Sequence, residues 1–108
     1  MTEQDFEDRI IANLDEAERL LGYGFTGLRG LIERYGAVNV AKGLVSIDNA
    51  FRMHDGFQSL SNNDLEFLSV EQAMIDFADA PFFEEVDIAA AKAKLYLASM
   101  KKKKSEVR

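Results

Sequence analysis

The chain has no cysteine, no tryptophan, one proline and one histidine among its 108 residues. Without cysteine it can form neither a disulfide nor a thiolate metal site. The single histidine, His54, precedes Asp55 and is typical of a surface loop, and no G-x-S-x-G motif is present to place a nucleophilic serine. We therefore predict no catalytic residues and expect a protein that is not an enzyme.

Long hydrophobic runs are missing as well. No apolar stretch approaches the roughly 20 residues that a membrane-spanning helix needs. The first residues, MTEQDFEDR, are acidic and polar, whereas a signal peptide begins with positive charge. We expect a cytoplasmic protein with no membrane association.

Patterns for metals and cofactors are also weak. The chain has no Glu-x-x-His pair of the kind that di-metal helical bundles use. The acidic cluster Glu84, Glu85 and Asp87 is more typical of a helix start. Residues Gly22 to Gly27 satisfy G-x-G-x-x-G, but they follow a predicted helix and not the strand that nucleotide binding requires. The sequence therefore predicts no metal site and no cofactor.

The apolar periodicity predicts helices throughout the chain. A length of 108 residues fits one domain, and no segment alternates as a strand does. Within residues 3–21, Phe6, Ile10 and Leu14 begin an apolar stripe at helical spacing. We predict an all-α fold, in which residues 1–100 form one compact bundle of five to six short helices and residues 101–108 form a basic, flexible tail.

Local signals place the boundaries of the other helices. Six of the seven glycines lie between Gly22 and Gly43 and indicate turns around two short helices. We expect Thr26 to cap a helix that ends at Tyr35 and has Arg29 on its outer face, and we expect a turn at Asp55-Gly56. A further helix over about 37–46 buries either Val38, Ala41 and Val45 or Val40 and Leu44. We also expect a capping box from Ser69 to Gln72, a helix end near Ala80, and Asp87 as the cap of a last helix over about 88–100. The residues that we expect to face the core after residue 55 include Phe57 and Leu60 and, in the last helix, Ile88, Ala91, Leu95 and Ala98.

The charge is uneven along the chain. The net charge is −6, but residues 1–100 carry −10 and the last eight residues carry +4. An acidic body repels nucleic-acid phosphates and attracts a basic protein surface. The residues that we predict to contact a protein partner are acidic side chains on the outer side of the first helix and two aromatic residues after it: Asp8, Asp15, Glu16, Glu18, Tyr23 and Phe25. An ordinary solvated helix face is the simpler explanation of these carboxylates.

These features favour a non-enzymatic protein-binding or regulatory module. A sharper hypothesis is a small acidic inhibitor, of the kind that a phage encodes, that occupies the basic groove of a nucleic-acid-handling enzyme. The alternative is a DNA-binding regulator, because residues 31–51 are typical of a helix-turn-helix with Asp48, Asn49 and Arg52 on its recognition helix. The single basic residue of that helix and the acidic body make nucleic acid the less favoured partner.

The order of motifs resembles that of a group of small, uncharacterised, all-helical bacterial or phage proteins. The motifs that carry the resemblance are GYGFTGLRGLIERYGAVNVAKGL from residue 22, Gly56-Phe57-x-x-Leu60, Leu68-Ser69-Val70-Glu71, Phe82-Phe83 and Ala91-x-x-x-Leu95. The resemblance covers about residues 22–97 and departs at residues 61–67, where SNNDLEF replaces a more basic connection. No activity is attached to that group. The resemblance therefore implies an all-helical fold and assigns no functional residue.

Overall fold

Six α-helices and one 3-10 turn form the regular structure of residues 1–46 and 55–106, which are the residues that the computed structural model describes. The helices are α1 (Glu3–Leu21), α2 (Thr26–Tyr35), α3 (Ala37–Leu44), α4 (Asp55–Asn62), α5 (Val70–Asp76) and α6 (Glu85–Glu106), and the 3-10 turn spans Glu66–Leu68. This architecture confirms the predicted all-α bundle. The predicted recognition helix with Asp48, Asn49 and Arg52 lies outside the described residues.

Helix α1 supplies one side of the core. Phe6, Ile10 and Leu14 are buried at the predicted helical spacing. This stripe lets α1 pack against α3, α5 and the 3-10 turn, while α6 packs mainly against α5. Around Phe6 the core is aromatic, with the Phe77 and Phe83 rings edge-on at centroid distances of 5.3 and 5.0 Å.

Helix α1 has the clearest caps in the fold. The Thr2 hydroxyl accepts a hydrogen bond from the Asp5 N–H, and the Asp5 carboxylate accepts one from the Thr2 N–H. These hydrogen bonds from Thr2 lower the pKa of the Asp5 carboxyl. At the other end Gly22 has a φ of 70° and donates its N–H to the Glu18 carbonyl. A glycine adopts this left-handed conformation without a steric penalty, which explains the predicted stop.

Helix α3 receives its N-terminal cap from another helix. Its N-cap residue, Gly36, has no side chain to offer, and the N–H of Ala37 donates to the Glu7 carboxylate of α1 at 3.1 Å. The sequence left open which of two apolar sets of this helix faces inward. Both contribute, because Val38, Ala41, Val45 and Val40 are all buried.

Several predicted boundaries are wrong by a few residues. Phe25, with a φ of 53°, is the N-cap of α2, so Thr26 is the first helical residue and makes no capping bond. Asp55 and Gly56 are helical residues of α4 and do not form a turn, and α5 ends at Asp76, before Ala80. Helix α6 begins at Glu85, so Asp87 lies in its first turn and is not the N-cap. The Asp87 carboxylate accepts a hydrogen bond from the N–H of Glu84.

Helix α6 also extends further than predicted, to Glu106. Part of its basic C-terminal region is tied to the body, because the Lys102 ammonium forms ion pairs with Asp64 and Glu66. These two carboxylates raise the pKa of Lys102.

The cap of α5 yields the first testable prediction. The buried Ser69 hydroxyl accepts the N–H of Gln72 at 3.0 Å, which is the forward half of the predicted capping box. The Gln72 side chain instead donates to Asp76. Ser69→Ala should lower the free energy of unfolding by about 1 kcal/mol, because the partly buried N–H of Gln72 loses its acceptor. Urea unfolding monitored by circular dichroism measures this, and a loss below a few tenths would contradict it.

Candidate functional site

An apolar pocket of about 230 Å³ opens between α1, α2 and the start of α4. Its walls are Leu14, Phe25, Leu28, Leu44, Phe57 and Leu60. Leu14 belongs to the apolar stripe of α1, and Phe57 and Leu60 are the α4 residues that the sequence predicted to face inward. The pocket is therefore an opening in the core and is continuous with it.

Two large apolar side chains remain exposed at the rim of this pocket. Tyr23 is 43% exposed and Leu31 is 46% exposed, and both line the opening. The Tyr23 ring packs edge-on against the buried Phe25 ring at 4.6 Å. Gly56 packs so closely on this wall that an added Cβ would lie 3.1 Å from the Phe25 ring. The Phe25 ring is therefore held by close packing against Gly56, while Tyr23 and Leu31 at the rim are open to solvent.

A buried ion pair stands at the inner end of the site. The Lys94 ammonium of α6 lies 2.8 Å from the Glu71 carboxylate of α5, with side-chain exposures of only 1% and 3%. Lys94 also donates to the Leu44 carbonyl at 3.3 Å and lies 5.4 Å from the centre of the Phe57 ring. Glu71, Leu44 and Phe57 all line the pocket. The ion pair therefore connects α5 and α6 to the pocket wall.

An acidic corner lies beside the rim, on the side of α1. The Arg29 guanidinium is 2.9 Å from the Asp15 carboxylate and 3.2 Å from the Glu18 carboxylate. It also donates to the Gly24 carbonyl at 2.9 Å, next to Tyr23. Two carboxylates share one guanidinium, so this corner keeps a net negative charge. Asp15 and Glu18 remain 65% and 50% exposed.

The structure brings together four of the six residues predicted to contact a partner. Tyr23 and Phe25 line the pocket, although Phe25 is only 3% exposed and forms its wall. Asp15 and Glu18 do not line it, but Arg29 joins them to the Gly24 carbonyl between these two aromatic residues. Asp8 lies two turns away along α1 and accepts a hydrogen bond from Gln4. Glu16 is paired with Arg19, which lowers the pKa of the Glu16 carboxyl.

Sequence reasoning missed three charged residues of this region. Glu71 and Lys94 occupy core positions, whereas charged residues are normally expected at the surface. The only sequence signal for Lys94 is its place between Ala91 and Ala98 on the inward stripe of the last helix. Arg29 was placed on an outer helix face, and nothing in the sequence links it to carboxylates 14 and 11 residues away.

Within residues 1–46 and 55–106, no three histidine, aspartate or glutamate side chains come together as metal ligands would. None of the described helices is long and apolar enough to cross a membrane. Compared with known proteins, the chain matches no family model, no curated protein and no solved structure. The resemblance to small helical bacterial or phage proteins therefore stays a prediction.

Proposed function

We propose that this chain is a non-enzymatic protein-binding module whose pocket receives one apolar side chain from a basic segment of a partner protein. The observation that carries the proposal is the open apolar pocket with Tyr23 and Leu31 exposed at its rim. Large exposed apolar side chains that surround a concave site are typical of protein-binding surfaces.

The size of the pocket supports a side chain as the occupant. Pockets for drug-sized ligands measure about 300–1,000 Å³, whereas this one measures about 230 Å³. An apolar cavity of about 150 Å³ accommodates benzene. One leucine or phenylalanine side chain, inserted from a partner, would fill most of the available space. Such a buried anchor surrounded by weaker contacts is the usual arrangement of an interaction hot spot.

The charge next to the pocket favours basic residues beside that anchor. The Asp15 and Glu18 carboxylates outnumber the Arg29 guanidinium at the rim, and residues 1–100 carry −10. Complementary charge accelerates encounter and excludes acidic partners. Enzymes that act on nucleic acids hold the phosphates on basic surfaces, and a basic surface is complementary to this acidic corner. The proposal therefore includes the cytoplasmic inhibitor of a nucleic-acid-handling enzyme, phage-type in character, as its sharper form.

Leu31→Glu should weaken partner binding at least about 30-fold, because a charge on the apolar rim that contacts the inserted anchor costs about 2 kcal/mol or more of binding free energy. Tagged protein captures the partner from nuclease-treated host lysate, and titration calorimetry with the purified partner gives the Kd. Tyr35→Glu is the matched control, because Tyr35 is 54% exposed on the same helix but does not line the pocket. Unchanged affinity of Leu31→Glu would refute the pocket as the binding site.

Removing charge at the acidic corner should slow association with the same partner. The double variant Asp15→Asn/Glu18→Gln should reduce the association rate several-fold at low salt and flatten its salt dependence. Asp8→Asn/Glu16→Gln carries the same charge change along α1 and should have a smaller effect. Stopped-flow mixing measures both. Equal effects of the two pairs would show that only overall charge matters. Capture that is lost on nuclease treatment would favour the DNA-binding alternative.

A further inference from the structure

Helix α6 is apolar on two opposite faces. Its inner face contributes Ile88, Ala91 and Ala98 to the core, as the sequence predicted. Its outer face carries a second stripe in which every residue is exposed: Val86, Ala89, Ala93, Tyr96 and Met100. We call these five residues the outer stripe. Its three large side chains, Val86, Tyr96 and Met100, are 66%, 65% and 50% exposed.

The outer stripe has the spacing of a coiled-coil seam. Its members are separated by three, four, three and four residues, which are the a and d positions of successive heptads. At 3.6 residues per turn this places them on the side of α6 opposite the buried face. Scattered exposed apolar residues need no explanation, but a continuous heptad stripe on the longest helix of the fold indicates a helical partner.

We infer that the outer stripe pairs with the outer stripe of a second copy of this chain, with the two α6 helices antiparallel. In an antiparallel coiled coil an a residue faces a d residue of the partner helix. In one register Ala93 then faces Tyr96, and Ala89 faces Met100. Each small side chain leaves room for a large one, and the two-fold axis repeats every contact. Four of the five residues of the outer stripe are therefore complementary to one another, and Val86 lies opposite position 103.

Charge at the two ends of α6 selects the same arrangement. Glu84 and Glu85 are exposed at its beginning. The sequence places four lysines at positions 101–104 near its end, of which Lys102 is already paired with Asp64 and Glu66. Antiparallel pairing brings the acidic end of one helix to the basic end of the other, whereas parallel pairing brings like charges together. A generic apolar partner offers no such match at both ends. The complementarity therefore identifies a second copy as the occupant.

The length of the stripe sets the expected strength. Val86 to Met100 spans about 21 Å at 1.5 Å per residue. An interface of this length with five side chains from each chain lies at the small end of specific protein interfaces. We expect a dimer with a Kd in the micromolar range, formed on a face separate from the pocket.

Sedimentation equilibrium from about 5 to 500 µM protein tests the dimer. The wild-type chain should convert from monomer to dimer across this range, and Tyr96→Glu should raise the dimer Kd at least tenfold. Tyr35→Glu places the same charge on a similarly exposed tyrosine of α2 and should leave the dimer intact. Circular dichroism verifies that both variants remain helical. A wild-type monomer at every concentration, or equal effects of the two variants, would overturn the inference.

Orientation is tested with the double variant Ala89→Cys/Met100→Cys. The natural chain has no cysteine, so any disulfide formed under mild oxidation joins the two introduced thiols. Antiparallel pairing should give intermolecular links between position 89 of one copy and position 100 of the other, identified by peptide mass spectrometry. Links between identical positions would overturn the antiparallel arrangement. Partner binding by Tyr96→Glu should equal that of wild type, which separates this inference from the proposed pocket.

Discussion

Lys94→Met alone should lower the free energy of unfolding by about 3–5 kcal/mol, because it leaves a buried carboxylate without its counter-charge. Glu71 is 3% exposed, and its oxygen lies 2.8 Å from the Lys94 nitrogen. The substitution also removes the donor to the Leu44 carbonyl and the cation above the Phe57 ring. Small domains are stable by only about 5–15 kcal/mol, so this variant should be close to unfolded at moderate temperature.

The double variant Glu71→Leu/Lys94→Met should recover most of that loss. Two apolar side chains of similar volume avoid the desolvation cost of two buried charges, and such replacements are often neutral or stabilising. Urea unfolding of the wild type, Glu71→Leu, Lys94→Met and the double variant forms a double-mutant cycle. A large favourable coupling energy is expected. The prediction fails if the stability losses of the two single variants simply add in the double variant, or if Lys94→Met alone costs less than about 1 kcal/mol. Either result would mean that water solvates the unpaired Glu71 carboxylate.

The same cycle separates stability from recognition. Glu71 lines the pocket as well as binding Lys94. If the double variant folds with near-native stability but binds the partner more weakly, the carboxylate contributes to binding directly. If binding is retained, the ion pair serves to join α5, α6 and the end of α3 around the pocket.

Phe6→Ala should destabilise the fold by a similar amount, about 3–5 kcal/mol. Phe6 has no exposed surface, and its ring contacts those of Phe77, Phe83 and Phe82. Its loss removes a large buried apolar surface and the two edge-on contacts with Phe77 and Phe83, which contribute about 0.5–1.5 kcal/mol each beyond burial. The cluster joins α1 to α5 and to the segment before α6, so little can move to fill the cavity.

Thermal unfolding measures this effect. For a domain of this size each kcal/mol shifts Tm by about 4–8 °C, so Phe6→Ala should lower Tm by roughly 12 °C or more. Phe67→Ala is the matched control, because that ring is 58% exposed. It should change the free energy of unfolding by no more than about 0.5 kcal/mol. Comparable losses for the two variants would contradict the placement of the aromatic core at Phe6.

Local physical chemistry determined the helices and their inward faces. The period of apolar residues identified α1 with both ends correct, from Glu3 to Leu21, because helix formation and burial of one stripe depend on neighbours three and four residues apart. It also identified the buried stripe of α6. Helix ends were less certain, because Asp87 is compatible with a cap and with a first-turn position, and the backbone around it decides between them.

Tertiary structure decided which charges meet. Lys94 and Glu71 are 23 residues apart in the sequence, and they pair because α5 packs on α6. Arg29 reaches Asp15 and Glu18 because the turn after Gly22 places the first turn of α2 next to the last turns of α1. The sequence by itself determined the fold class and the acidic α1 face. The pocket, its acidic corner and the exposed outer stripe of α6 depend on which apolar faces remain uncovered once the helices have packed, and that is a long-range property of the assembled core.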